Sequence, residues 1–210
     1  MYEAVIFDFG GVFTESPFHA FARYERDNDL PADIIKRINS VNHLTNAWAR
    51  FERGELTIDE FDRAFADEAL ALGYYISGHE VVALLAGARR PEMHEALVKL
   101  RVRYKAGCIT NNVPSLQVGG VQIGSIYKQE TMSLFDHVIE SSKAGVRKPD
   151  PRIYEMMCEA LAVPPHACIY LDDLGVNLKP ARAMGMHTIK VESGAQAIAE
   201  LEAATGMTLG

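Results

Sequence analysis

Residues 4–11 read AVIFDFGG: Ala4, Val5, Ile6 and Phe7 form an unbroken apolar run, Asp8 follows at once, and Gly10 and Gly11 come directly after Phe9. A run of four apolar residues bounded by a turn signal fits a strand buried on both faces, the kind found inside a parallel sheet. Similar runs recur at Ala106 to Ile109, Val138 to Ile139, Cys168 to Leu171 and Thr188 to Val191, with longer segments of helical spacing between them. Parallel strands joined by right-handed crossovers need helices on both faces, so the expected fold class is α/β, a doubly wound (Rossmann-like) parallel sheet. Ligands of such sheets bind beyond the carboxyl ends of the strands, which is where Asp8 stands.

One interval breaks the alternation. From about Ser16 to about Ala88 there are only amphipathic stretches, namely Pro17 to Asp27, Ala32 to Asn39, Thr57 to Leu72 and Gly78 to Leu85. Thr57 followed by Glu60 reads as a capping box, with Ile58, Phe61, Phe65 and Leu72 as the buried stripe of the helix it opens. A helical insert after the first strand would lie over the carboxyl ends as a lid. The expected division is therefore a catalytic core domain of residues 1–15 and 89–210 and a helical cap domain of residues 16–88, with Arg89 and Arg90 before Pro91 marking the return. Trp48 and Phe51 are expected to be core aromatics of the insert. The uncharged, glycine-rich segment Ser115 to Tyr127 reads as a loop over the site's rim, and the tail is expected to form a last helix, Gln196 to Ala204, and then fray.

A chain of 210 residues with 48% apolar content can bury a large core, and its formal net charge of −7 repels nucleic acid and anionic lipid. A small-molecule partner fits better. No apolar run approaches the roughly 20 residues of a membrane span, and no signal segment is evident, so a cytoplasmic protein is expected, as a monomer or homodimer. Cys108, Cys158 and Cys168 have no metal or redox spacing. The histidines are likewise scattered.

The chemistry-bearing residues fall at strand ends. A carboxylate at Asp8, beside glycines that admit a ligand to the backbone, can attack phosphorus and split one difficult step into two. Thr110, Asn111 and Asn112 follow the second strand with a hydroxyl, amides and backbone donors suited to phosphate oxygens. Lys148 precedes Pro149 and is thereby held in extended backbone, where its ammonium could neutralise nucleophile and phosphate together. Asp172 and Asp173 close another strand, and their mutual repulsion calls for a cation. Asn177 and Lys179 follow, near the start of a helix expected to hold Pro180 in its first turn, and could orient this acidic loop.

The order Asp, Thr, Lys before Pro, then paired Asp, each at or near the end of a separate strand, resembles the haloacid-dehalogenase-like hydrolases over nearly the whole chain. Ser141 to Tyr154 (SSKAGVRKPDPRIY) and Leu171 to Gly185 (LDDLGVNLKPARAMG) are similar to the N-terminal phosphatase-type domain of soluble epoxide hydrolases, and more so to the domain fused to certain acyl-CoA dehydrogenases. The resemblance implies a magnesium-dependent phosphatase acting on a small phosphorylated metabolite, with Asp8 as nucleophile, Thr110 as phosphate binder and Lys148 as charge stabiliser. Asn111 and Gly11 complete the expected substrate contacts. Mg2+ would be held by Asp8, Asp173 and the Gly10 carbonyl, with Asp172 supporting the metal site.

The resemblance also marks a departure. Most phosphatases of the family carry a second Asp two residues after the nucleophile, which protonates the leaving group and later activates water; here the residue is Gly10. Such a loss costs about 10² to 10⁴ in rate, least for leaving groups that need no proton. Glu15 and His19 are candidate substitutes. The alternatives are a weakened member that binds a phosphorylated ligand or protein partner without turnover, and a haloacid dehalogenase, against which the Asp172–Asp173 pair argues.

Overall fold

The computed structural model describes residues 1–85, 87–111, 117–118, 121–122 and 126–210. Its strands are β1 (Ala4–Phe7), β2 (Lys105–Thr110), the two-residue β3 (Gln117–Val118) and β4 (Val121–Gln122), β5 (His137–Glu140), β6 (Cys168–Asp172) and β7 (His187–Lys190). Five of them form one parallel sheet in the order β5-β2-β1-β6-β7, and β3 and β4 pair antiparallel by themselves. This is the doubly wound sheet expected from the apolar runs. The β3–β4 pair falls inside the segment read as a rim loop, most of which lies outside the described residues.

The two faces of the sheet follow the period-two rule for strands. Val5, Phe7, Ile169 and Leu171 face one apolar cluster, covered by α6 (Pro91–Leu100) and α11 (Gly194–Thr205). Ala4, Ile6, Cys168 and Tyr170 face the other, covered by α9 (Pro151–Leu161) and α10 (Gly175–Ala183). Each fully buried Phe or Ile here contributes about 1.5–3 kcal/mol. The same alternation sends Asp8 and Asp172, the next even-numbered residues, toward the second face, and the register that pairs Phe7 with Leu171 sets the two carboxylates side by side.

Between β1 and β2 stand α1 (Phe18–Asp27), α2 (Ile34–Ser40), α3 (Ala47–Glu52), α4 (Ile58–Ala71) and α5 (Gly78–Ala83). They share a third apolar cluster drawn only from this interval, with Phe51, Phe61 and Phe65 wholly buried. The Thr57–Glu60 capping box is formed in both directions, and Ile58 and Leu72 lie at the cluster's edge. Trp48 packs against Phe21, Phe61 and Phe65. Helix α3 had no counterpart in the sequence pattern; the Asn46 side chain caps it by accepting from the Ala49 N–H. The chain enters and leaves the unit through one antiparallel bridge, Thr14 with Arg89, flanked by Glu15 N–H donating to the Ala88 carbonyl at 2.7 Å and Arg90 N–H to that of Phe13 at 2.9 Å.

Two expectations need correction. The tail does not fray: Leu209 is buried, the Glu202 carboxylate accepts from the N–H groups of Leu209 and Gly210, and Lys99 donates to the Leu209 carbonyl at 2.7 Å. An apolar anchor and a carboxylate cap hold the last residues against α6. Pro180 lies not in the first turn of α10 but in its interior, since that helix starts at Gly175. The short helices α7 (Ile126–Met132) and α8 (Ser141–Ala144) complete the chain, and no helix among the described residues is long and apolar enough to cross a membrane.

Candidate active site

Three strand ends meet at one point. Asp8 follows β1, and its N–H donates to the Leu171 carbonyl of β6 at 2.8 Å, so the backbone stays laddered up to the carboxylate. Asp172 is the last residue of β6 and Asp173 the next. Ligand oxygens of Asp8, Asp172 and Asp173 lie within 4.8 Å of one another. Lys148 arrives from the segment between α8 and α9, on the face that Asp8 and Asp172 share. Its ammonium sits 2.9 Å from Asp8 Oδ1 and 2.8 Å from Asp172 Oδ2, and the side chain is wholly buried. Thr110 ends β2, the sheet neighbour of β1, and is buried.

The charges perturb one another strongly. Burial raises the Asp8 carboxyl well above its ordinary value, with Lys148 opposing and the two neighbouring carboxylates adding to the rise. Asp173 is raised too, first by burial, while the Ser16 hydroxyl, which donates to its Oδ2 at 2.7 Å, opposes the shift. For Lys148 burial alone would lower the pKa, but Asp172 and Asp8 outweigh it and drive the group upward, so it stays an ammonium. Three carboxylates then face one buried cation, an imbalance that a second cation relieves.

The donor chemistry fits a hard divalent ion, because every nearby ligand atom is an oxygen. The three carboxylates are not equivalent. Asp172 Oδ2 accepts from Lys148, from the Tyr170 hydroxyl at 2.5 Å and from Asn177; its Oδ1 accepts from Leu174 N–H at 2.8 Å and again from Asn177. So many donors fix Asp172 as the group that orients Lys148. Asn177 thus does orient the acidic loop, whereas Lys179 is exposed. Asp8 and Asp173 stand nearer the surface.

The remaining expected residues have distinct surroundings. Gly11 has φ +74°, and a Cβ there would run into the Asp173 carboxylate, so only glycine permits this approach. Its carbonyl accepts from Arg90 at 2.6 Å. Gly10 is the opposite case, with no atom within 4 Å of an added Cβ. The Asn111 side chain clamps the Lys148 backbone: its Oδ1 accepts from Lys148 N–H at 2.9 Å and its Nδ2 donates to the Lys148 carbonyl at 3.0 Å. Asn112 lies outside the described residues. Glu15 and His19 are exposed.

Sequence reasoning missed four participants. Ser16 and Arg90 flank the neck of the helical unit, Tyr170 continues the buried face of β6, and Glu52 ends α3. Glu52 is buried with Arg147 Nε at 2.5 Å, accepts from Trp48 Nε1 at 2.9 Å, and lies 3.5 Å from Asn111 Nδ2. Ser141 donates to its carbonyl at 2.5 Å. The unit thereby touches the ends of β2, β5 and β6. Only the even-position pattern of β6, which places the Tyr170 hydroxyl two residues before Asp172, carried a signal for any of these.

Residues 2–185 match the family model for haloacid dehalogenase-like hydrolases. The chain is 33% identical over 216 residues to Acyl-CoA dehydrogenase family member 10 of Mus musculus, covering 99% of itself and 20% of that protein. It is 50% identical over 211 residues to Bifunctional epoxide hydrolase 2 of Rattus norvegicus, covering 95% of itself and 38% of the relative. The chain thus spans well under half the length of these two relatives. Phosphatase MT3486 of Mycobacterium tuberculosis is 34% identical over 203 residues, with 92% of this chain and 88% of that one covered. Among solved structures, a HAD family enzyme of Bacteroides thetaiotaomicron in complex with magnesium and inorganic phosphate superposes with a TM-score of 0.60 at 18% identity, covering 92% of this chain and 96% of that one, a likeness of fold.

Proposed function

The chain belongs to the haloacid dehalogenase-like hydrolases, and from that membership we propose that it is a magnesium-dependent phosphatase of a small phosphorylated metabolite, working through an aspartyl phosphate on Asp8. The observation that carries this reading is the Lys148 ammonium held between Asp8 and Asp172 with Asp173 alongside. Asp8 is the nucleophile: its Oδ forms the new bond to phosphorus while the bond from phosphorus to the leaving oxygen breaks. Lys148 favours the ionised form of the nucleophile and aims it, and offsets charge on the transferring group. Asp172, fixed by Tyr170, Asn177 and Leu174, holds Lys148 in place, and Asn111 holds its backbone. Thr110 and the backbone at Gly11 face the phosphoryl oxygens.

Asp8, Asp173 and the Gly10 carbonyl are the groups that would hold Mg2+, which when bound neutralises charge on the phosphoryl oxygens. Residues 16–88 form the cap over this site, seated by Ser16 on Asp173 and by Glu52 on Arg147. Phosphatase MT3486, which the chain matches over most of both lengths, supports the activity. A second reading, binding of a phosphorylated ligand without turnover, draws on Gly10. A carbon–halogen hydrolase would leave Asp173 and its Ser16 contact without a purpose.

The test is hydrolysis of p-nitrophenyl phosphate and a panel of phosphorylated metabolites, with and without magnesium, by the native chain and Asp8→Asn. Magnesium-dependent release of phosphate by the native chain, lost in Asp8→Asn, is expected. Turnover that survives either magnesium removal or Asp8→Asn would sink the proposal.

A further inference from the structure

The two halves of the proposed reaction make unequal demands on the residue at position 10. In the first, the bond between phosphorus and the leaving oxygen breaks and its electron pair departs with that oxygen. No acid is needed if the departing group is a stable anion. In the second, the oxygen of water bonds to phosphorus, the bond to Asp8 breaks and the carboxylate returns, while the water's proton passes to a base or, lacking one, through solvent to the released phosphate. That demand is the same for every substrate.

Gly10 supplies no group for it, and the space beside it is open. Among the described residues, the titratable side chain in contact with the Asp8 carboxylate that is not itself an acid of the cluster is Lys148, whose ammonium is shared with Asp172. Asp173 takes the Ser16 hydroxyl, and both oxygens of Asp172 already accept several donors. Glu15 and His19 face solvent.

We infer that the site favours phosphoryl donors whose leaving group departs unprotonated, acyl phosphates above all, and that phospho-Asp8 breaks down slowly enough to be the form that accumulates during turnover. This rests on the phosphatase reading and adds to it a substrate class and a rate-limiting step. The open space at Gly10 is then what separates fast capture of the phosphoryl group from its slow release to water.

The experiment follows rapid mixing of the magnesium-loaded native chain with p-nitrophenyl phosphate, and acid-quenched intact mass after mixing with acetyl phosphate. A burst of nitrophenolate approaching one equivalent per chain is expected, together with a mass gain of one phosphoryl group that hydroxylamine removes and Asp8→Asn lacks. Gly10→Asp, built into open space, is expected to abolish the burst and raise the steady rate about a hundredfold or more. Native turnover that is linear from the first instant, with no adduct, overturns the inference and leaves the phosphatase intact. Turnover by Gly10→Asp beside a native chain giving neither product nor adduct also overturns it, since the first step would then need the acid as well. No product or adduct from either protein overturns the phosphatase reading itself.

Discussion

On one flank of Asp8, Lys148 is 1% exposed and its ammonium joins two carboxylates, one of them also held by Tyr170, Asn177 and the Leu174 amide. On the other flank, Gly10 leaves open space and Gly11 makes way for Asp173, whose side chain has the Ser16 hydroxyl as its partner. The first flank is a closed network of paired polar groups; the second is open beside Gly10. Low dielectric strengthens a satisfied network and penalises a broken one. Substitutions that break the closed network should therefore act on folding, and loss of the Asp173 charge on ligand and metal.

The largest effect is expected from Lys148→Met, which leaves Asp8 and Asp172 buried without a cation. Breaking a buried pair this way costs about 3–5 kcal/mol, read from denaturant unfolding in the presence of a chelator. Adding Asp172→Asn to the same chain should return part of the loss. A change below about 1 kcal/mol, the scale of exposed ion pairs, would show that the closed flank is not the structural one.

Asp173→Asn is the matching test of the open flank. Burial already raises this carboxyl, so removing its charge should change the stability of the metal-free chain little. Its magnesium affinity should fall by more than the roughly 10–100-fold that losing an outer-shell partner costs, measured by titration calorimetry. Affinity within a fewfold of the native chain would remove Asp173 from the ligand set.

The adjacent glycines sharpen the contrast further. Gly11→Ala puts a Cβ against the Asp173 carboxylate at a φ of +74° and should cost about 1–3 kcal/mol. Gly10→Ala meets nothing and should stay within about 0.5 kcal/mol. Equal losses from the two, in paired thermal scans, would mean that the open flank is packed after all.

These flanks were unequally legible in the sequence. Buried parallel strands write themselves as continuous apolar runs, so the sheet, and with it the positions of Asp8, Asp172 and Asp173 at strand ends, could be read directly. The lysine before proline was visible as chemistry, although its burial between two carboxylates was not. Ser16 reaches Asp173 across 157 positions of sequence and Arg90 reaches Gly11 across 79. Contacts of that span are fixed by topology and leave no local periodicity to read. For Asn111 the strand-end position was legible, whereas the clamp of its side chain on the Lys148 backbone was not.

Glu52 links the helical unit to Arg147 and Asn111 behind the closed flank, and its expected effect is the smallest and the most specific. Burial raises its carboxyl above the ordinary value, against the pull of Arg147 and Trp48. A carboxyl raised on folding adds stability that is fully present below its unfolded pKa and is lost as pH rises through the folded one. Glu52→Gln keeps an acceptor for Trp48 and resembles the protonated carboxyl, so at low pH the two chains should differ by less than about 0.5 kcal/mol. As pH climbs through the range just above ordinary carboxylate values, a gap should open in the variant's favour, because only the native chain then carries a buried charge. Paired unfolding curves across that range decide the matter. No change with pH would mean that Arg147 fully compensates the buried charge, and a gap opening in the native chain's favour would mean that the ion pair dominates burial here.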